Sequence, residues 1–450
     1  MYFTSTIMRK IIFLACFLFI GIYTHAQEKR WTLQECVAYA LENNISVKQS
    51  ELDVEASAID RSDAIGNFIP SLSSQMSLTS NSGLSINPTT NRFENTRFTS
   101  FSGGATTALT IFDGLRNYRQ FQRSKLTQLA SEYSLELMKD DIALFVANSY
   151  LQVLFNKQSL EVLISQNAVT TEQLERTQEL VDAGVLPSGD LLEIEATNAN
   201  ELQRMVVAEN NIKISLISLA QTLLIKDYEN FDIAEDDYDV FGAEILTKTP
   251  SELIERAREE RFEIKVAEEN KKIAEKDVEI ARGAYWPTIN AFFNYNTRYA
   301  NNDPFSRDFT TQLYENDGTT YGLQLNIPVL NGFAVRNQVQ RNKVNVQRAE
   351  YRLEQAELDL EANVYQAYVD AKGAFRSYEA ALVALNAQEQ AYSYATERFD
   401  VGLTNGFEFS QAKSRLENAQ TEVVRTKYDY IFKLKVIELY FGIPVTDLKF

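Results

Sequence analysis

The sequence predicts a mainly helical fold with membrane-type β-strands, built twice along one chain of 450 residues. Three observations predict it. Two sharp breaks, Val181-Asp182-Ala183-Gly184-Val185-Leu186-Pro187-Ser188-Gly189-Asp190 and Phe399-Asp400-Val401-Gly402-Leu403-Thr404-Asn405-Gly406-Phe407-Glu408, interrupt very long helical patterns 218 residues apart. The capping boxes Thr32-Leu33-Gln34-Glu35 and Thr249-Pro250-Ser251-Glu252 lie 217 residues apart, as do Pro70 and Pro287. After each of those prolines the apolar period changes from about 3.6 to 2. The chain therefore reads as residues 27–226 and 249–450, each a helix, two strands and a long helical hairpin, joined by an acidic segment over 227–248.

Residues 1–26 read as a secretory signal. Arg9-Lys10 form its positive region, Ile11 to Tyr23 its apolar run, and Thr24-His25-Ala26 the small residues before a cut at Gln27; Met8 is an alternative start. The apolar run is too short for a spanning helix. The formal charge is -18, and about -20 without Arg9 and Lys10. A chain this acidic repels phosphate backbones, which excludes nucleic acid as a partner. Beyond residue 26 there is no histidine, and Cys36 is the one cysteine. That removes internal disulfides, His/Cys zinc sites and histidine triads, so neither an enzyme nor a metal or other cofactor is expected. Cys36 matches Leu253 by the 217 offset, and both fall on an apolar helix face, so Cys36 is expected in a core.

The elements follow in order. The first capping box opens a helix to about Ala64, closed by Pro70; the second opens one to about Ala284, closed by Pro287. Four strands follow in two pairs. Leu72, Ser74, Met76 and Leu78 alternate with Ser71, Ser73, Gln75 and Ser77, and Phe101 through Ile111 alternate with Ser102, Gly104, Thr106 and Ala108. Ile289 through Tyr299 alternate with Thr288, Asn290, Asn294, Asn296 and Arg298, and Tyr321, Leu323, Leu325, Ile327 and Val329 with Gly322, Gln324 and Asn326. One face is apolar and the other mostly small and uncharged, with Phe292 and Arg298 interrupting it. Each strand is near the ~9–11 residues that cross a bilayer. A single pattern of this kind also fits a soluble hairpin on a core; four of them behind a signal favour the membrane. Polar loops are expected around 80–98 and 300–318. Four strands cannot close a barrel, so several chains must share one, and three chains would supply twelve strands.

Long helices are expected over 116–182 and 334–400, each roughly 100 Å if continuous. In the second, Leu360, Ala367, Ala374 and Ala381 alternate with Val364, Ala371, Tyr378 and Leu385 as a coiled-coil seam. Return helices are expected over about 190–225 and 408–441. The segment between the halves, with Asp232, Glu235, Asp236, Asp237 and Asp239, reads as a solvated linker, with a belt packed round the helices as the other reading.

With those residues in hand, the chain resembles the TolC family of outer-membrane efflux proteins. The resemblance covers the whole chain past the signal. Its most specific piece is Val401-Gly402-Leu403-Thr404, similar to the family's hairpin-tip signature, and Trp31 to Leu72 is similar to the family's opening helix. The resemblance implies a homotrimer with a twelve-stranded β-barrel in outer-membrane lipid, continued by a periplasmic α-helical coiled-coil barrel. It implies an exit duct of a tripartite efflux or type I secretion system, whose tips dock a periplasmic adaptor of an inner-membrane pump. It also implies a periplasmic gate at Asp190 and Glu408, with Glu193 as a second acid. Six such carboxylates near one axis would attract cations, and their mutual repulsion would make closure respond to pH. The same acids also suit a helix N-terminus. The sequence departs from the family in carrying Thr404 where a basic gate residue is common, Gln411 where a second acid is common, and Ala183-Gly184-Val185-Leu186 in place of the full signature.

The resemblance implies adaptor-binding tips at Gly184, Val185, Leu186, Val401, Gly402, Leu403 and Thr404; Leu186 and Leu403 read either as core caps or as partner contacts, and apolar groups at a hairpin tip favour the partner. The alternative is a secreted soluble helical-bundle scaffold, which leaves the four strands unexplained.

Overall fold

The computed structural model describes residues 30–86, 90–235, 244–303 and 305–443. The signal and Asp236, Asp237 and Asp239 of the acidic segment lie outside the described residues. The chain divides into two compact units, one from 1–48, 139–260 and 362–450 and one from 49–138 and 261–361.

In order, the elements are β1 (Arg30–Trp31), α1 (Leu33–Asn43), α2 (Ile45–Gly66), β2 (Ser71–Ile86), β3 (Phe93–Phe112), α3 (Arg116–Asp182), α4 (Ser188–Thr222), β4 (Asp232–Ile233), α5 (Pro250–Glu260), α6 (Phe262–Gly283), β5 (Thr288–Ala300), α7 (Phe309–Glu315), β6 (Gly318–Asn326), α8 (Ala334–Asp400) and α9 (Gly406–Tyr440). A 3-10 turn spans Glu244–Thr247. The two long helices have the bounds that their flanking glycines and turns predict, 67 residues each. Of the seam residues in α8, Leu360, Val364, Ala371, Ala374 and Ala381 are buried.

Three expectations are corrected. First, the opening helix of each repeat is two helices. Asn44 breaks the first in an extended conformation (φ -59°, ψ 135°). Its side chain accepts the Ser46 amide at 2.8 Å and donates to the Thr222 carbonyl at 3.2 Å, an alternative to helical bonding that asparagine readily takes. Arg261 breaks the second with φ -71° and ψ 134°. Second, β2 and β3 run 16 and 20 residues, well past the expected loop at 80, and the other loop contains α7. The extra pairs, such as Asn81↔Phe98 and Ser82↔Arg97, are held by backbone bonds and need no apolar alternation.

Third, of the described residues in the acidic segment, Phe231 to Glu235 pack against the helices and are not a solvated linker, whereas 227–230 are exposed. In the first unit β4 pairs in parallel with β1. Phe231 and Ile233 join a core of Leu33, Cys36, Val37, Ala40, Tyr150 and Leu154. Burying Phe231 and Ile233 contributes about 1.5–3 kcal/mol each. The Tyr150 hydroxyl bridges the carbonyls of Ala234 (2.8 Å) and Trp31 (3.2 Å). Lys157 Nζ pairs with Asp232 at 2.6 Å and Glu235 at 3.0 Å. Its acids thus neutralise a helix lysine while its apolar residues fill the core.

The second unit holds one antiparallel sheet in the order β2-β3-β5-β6. The central pairing, β3 on β5, joins the two repeats. Cross-strand partners share a face, so Met76, Gly103 and Thr297 stand on one side with Phe293, Tyr321, Leu323 and Leu325. That side is open: Leu72, Met76, Leu78, Tyr321 and Leu323 are all at least 70 % exposed. The other side lines a hollow of about 570 Å³ with Ser73, Gln75, Ser77, Ser102, Thr106, Asn294, Asn296 and Thr320, all uncharged. No helix among the described residues is long and apolar enough to cross a membrane.

Candidate functional site at the hairpin tips

The two tips are built alike. Gly184 and Gly402 both have φ +75°. Val185 N–H donates to the Leu180 carbonyl (2.9 Å) and Gly184 N–H to Val181 (2.9 Å); Leu403 N–H donates to Arg398 (2.8 Å) and Gly402 N–H to Phe399 (2.9 Å). These are the paired bonds of a Schellman turn, which needs a left-handed residue. A Cβ at either glycine would meet no atom within 4 Å, so conformation and not space requires glycine.

Behind the turns, Ile194, Phe399 and Phe409 form a small core with Leu174, Leu186 and Tyr392 against it. The rings of Phe399 and Phe409 stack at 5.1 Å. Leu186 therefore packs inward as a core cap, and not as the partner contact favoured for it, while Leu403 stays exposed. Val185, Val401 and Leu403 project, as does Phe407 at 59 % exposure, a residue that its place inside a helix start had concealed. Thr404 is half-buried, and its hydroxyl donates to the Glu408 carboxylate.

Each of the three acids has a distinct setting. Asp190 Oδ1 accepts the Gly406 amide at 3.2 Å, so the acid of the first tip caps the return helix of the second. Glu408 lies in the first turn of α9, where Asn405 Oδ1 accepts its amide at 2.9 Å. Glu193 is half-buried one turn into α4. Carboxylates at helix N-termini are favoured by the helix dipole.

Farther along the same hairpins, α3, α4 and α9 enclose a charged cluster that the sequence reading missed. Lys413 and Glu201 are both buried, with Nζ and Oε1 2.7 Å apart. Lys413 also donates to the Gln166 carbonyl at 2.5 Å and to the Thr170 hydroxyl. Glu201 Oε2 accepts Thr170 Oγ1 at 2.6 Å and Asn167 Nδ2 at 3.2 Å. All three ammonium protons are thereby used. Burial pushes Lys413 below the usual lysine range, and the Glu201 carboxylate opposes that shift. Arg204 forms a two-pronged pair with the buried Glu417, one arm at 2.9 Å. Arg176 and Asp400 add a pair at 3.1 Å nearer the tips.

A model of the family described as "Outer membrane efflux protein" matches residues 37–223 and 253–440, twice in one chain. The chain belongs to the outer membrane efflux protein family. It is 28% identical over 322 residues to the outer membrane protein TolC of Vibrio cholerae, covering 70% of each chain. It is 24% identical over 292 residues to protein CyaE of Bordetella pertussis, covering 65% of this chain and 60% of that one. Among solved structures, the Campylobacter jejuni CmeC outer membrane channel matches with a TM-score of 0.79 at 18% identity over 91% of this chain and 85% of that one. CusC matches with a TM-score of 0.78 at 14% identity over 94% and 95%. The fold is that of these channels, and as an outer membrane efflux protein the chain resides in the outer membrane. The apolar side of the sheet is then its lipid-facing side, and the uncharged hollow its inner side.

Proposed function

We propose that this outer membrane efflux protein is the passive exit duct of a tripartite efflux or type I secretion system. Three copies would close a twelve-stranded barrel, since a four-stranded sheet with β2 and β6 at its edges cannot close alone. The duct would dock a periplasmic adaptor serving an inner-membrane pump, and energy would come from that pump.

The observation that carries the adaptor reading is the exposure of Val185 (67 %), Val401 (68 %) and Leu403 (70 %) at two turns held rigid by Schellman bonds. Val401 and Leu403 share one turn and Val185 stands on the matching one, and apolar groups exposed side by side mark a partner surface. A cross-link tests it. With Cys36→Ser, a single Thr404→Cys is joined in cells to whatever touches the tip. A periplasmic adaptor in the adduct supports the duct; full-length protein in the outer membrane with no adduct at Thr404→Cys or Leu403→Cys would overturn it.

Asp190, Glu193 and Glu408 are proposed as the gate, a ring of acids that admits cations and repels anions. Glu408→Ala should lower cation selectivity in a planar bilayer, and unchanged selectivity would remove the gate from the reading.

A further inference from the structure

The two repeats meet inside one chain through contacts whose counterparts, one repeat on, stand open. Arg123 Nε lies 2.6 Å from Asp277 Oδ1, joining α3 of the first repeat to α6 of the second. The 218-residue offset carries Arg123 to Arg341, and the 217-residue offset carries Asp277 back to Asp60. Both charges are kept. Both residues are exposed, and among the described residues neither forms an ion pair. Arg341 meets the Gln338 side chain of its own helix at 2.7 Å.

The glycines repeat the pattern. A Cβ on Gly114 would lie 2.1 Å from the Gly283 carbonyl oxygen, so these two backbones touch. Their counterparts, Gly332 and Gly66, have nothing within 4 Å of such a Cβ. Asp113 and Gly114 are buried, whereas Asn331 and Gly332 are exposed. The sheet agrees: β3 pairs with β5 across the repeats, while their counterparts β6 and β2 are the two edges.

A head-to-tail ring supplies each missing neighbour from the next copy. We propose that neighbouring chains meet through the second repeat of one and the first repeat of the next, with Arg341 paired to Asp60 of the partner subunit and Gly332 packed on Gly66 of the partner subunit. The strand register follows. Thr107↔Phe293 and Ala105↔Tyr295 within the chain carry over to Leu325 beside the partner subunit's Met76 and Leu323 beside the partner subunit's Leu78. All four side chains fall on the lipid-facing side, as a one-residue slip would not allow. The inference rests on the shared barrel proposed above and adds its residue-level seam.

The test uses the full-length protein in Cys36→Ser background with Asp60→Cys and Arg341→Cys together, treated with a short bis-methanethiosulfonate. Arg123→Cys with Asp277→Cys serves as the internal control, which should join within one chain. The expected result is covalent trimer on denaturing gels for the first pair and monomer for the second. Native mass spectrometry in detergent separates the failures. A trimer by mass that does not cross-link, or joins only within a chain, overturns the seam and leaves the shared barrel standing. A folded monomer by mass overturns both. Charge exchange gives a second reading: Asp60→Arg or Arg341→Asp alone should lower the trimer fraction, and the double variant should restore it. No restoration counts against the pair.

Discussion

Lys413 and Glu201, 212 residues apart in sequence, face each other across the two hairpins of one chain with side chains 2% exposed. Removing one partner strands a buried charge, a loss of about 3–5 kcal/mol, whereas replacing both with apolar groups of like size is close to neutral. Lys413→Met should therefore loosen α9 against α4, and Glu201→Leu with Lys413→Met should restore it. Hydrogen exchange of the α9 amides reads the difference. Equal protection in the single and double variants would show that the pair contributes no coupling.

The acids at the tips should separate by role. Asp190 bonds the Gly406 amide, and Glu408 the Thr404 hydroxyl of its own turn. Asp190→Ala removes a cap worth about 0.5–2 kcal/mol and should speed exchange at Gly406 as well as alter selectivity. Glu408→Ala should alter selectivity and leave that amide protected.

Glycines with the same φ should respond differently. Gly184 has φ +75° and open space, so Gly184→Ala should cost about 1–2 kcal/mol of backbone strain. Gly114 has φ +72° and no room, so Gly114→Ala adds an overpacking cost of about 1–3 kcal/mol. Heat-induced loss of strand signal by circular dichroism should begin lower for Gly114→Ala.

The loop that carries α7 should be acid-resistant. The Arg307 guanidinium holds the Asp303 carboxyl well down, from 3.8 to about 2, and Arg307 also pairs with Glu315. A depressed carboxylate stabilises the folded loop above its ordinary value, and that contribution is lost as pH falls through the lowered one. Protection of the Phe309–Glu315 amides should hold to about pH 4 and disappear as pH falls through about 2. In Arg307→Gln it should already be reduced at neutral pH.

The long helices were legible because each runs from a glycine turn to a glycine turn, Gly114 to Gly184 and Gly332 to Gly402, with no proline between. The breaks at Asn44 and Arg261 were not, since the apolar period continues across both. The belt was misread because Asp232 and Glu235 outweighed Phe231 and Ile233 in composition, and their partner Lys157 is far away in sequence. Lys413 and Glu201 were invisible for a related reason. A lysine or glutamate on a helix is ordinarily solvated, and only packing decides otherwise. Asn405 was also missed: the return helix was expected from about 408, and the structure starts it at Gly406 with Asn405 as its N-cap.

The ionic cluster has no twin. The same 218-residue offset takes Lys413 back to Glu195 and Glu201 forward to Ala419, so the repeat supplies no second lysine–glutamate pair of this kind. In the ring proposed above, the hairpins then behave as three double staves, each glued along its middle, and not as six single ones. Staves glued in pairs part only at the remaining joints. Any widening of the periplasmic mouth would open three slots at the corners of a triangle, and the aperture would keep threefold symmetry however far it spread.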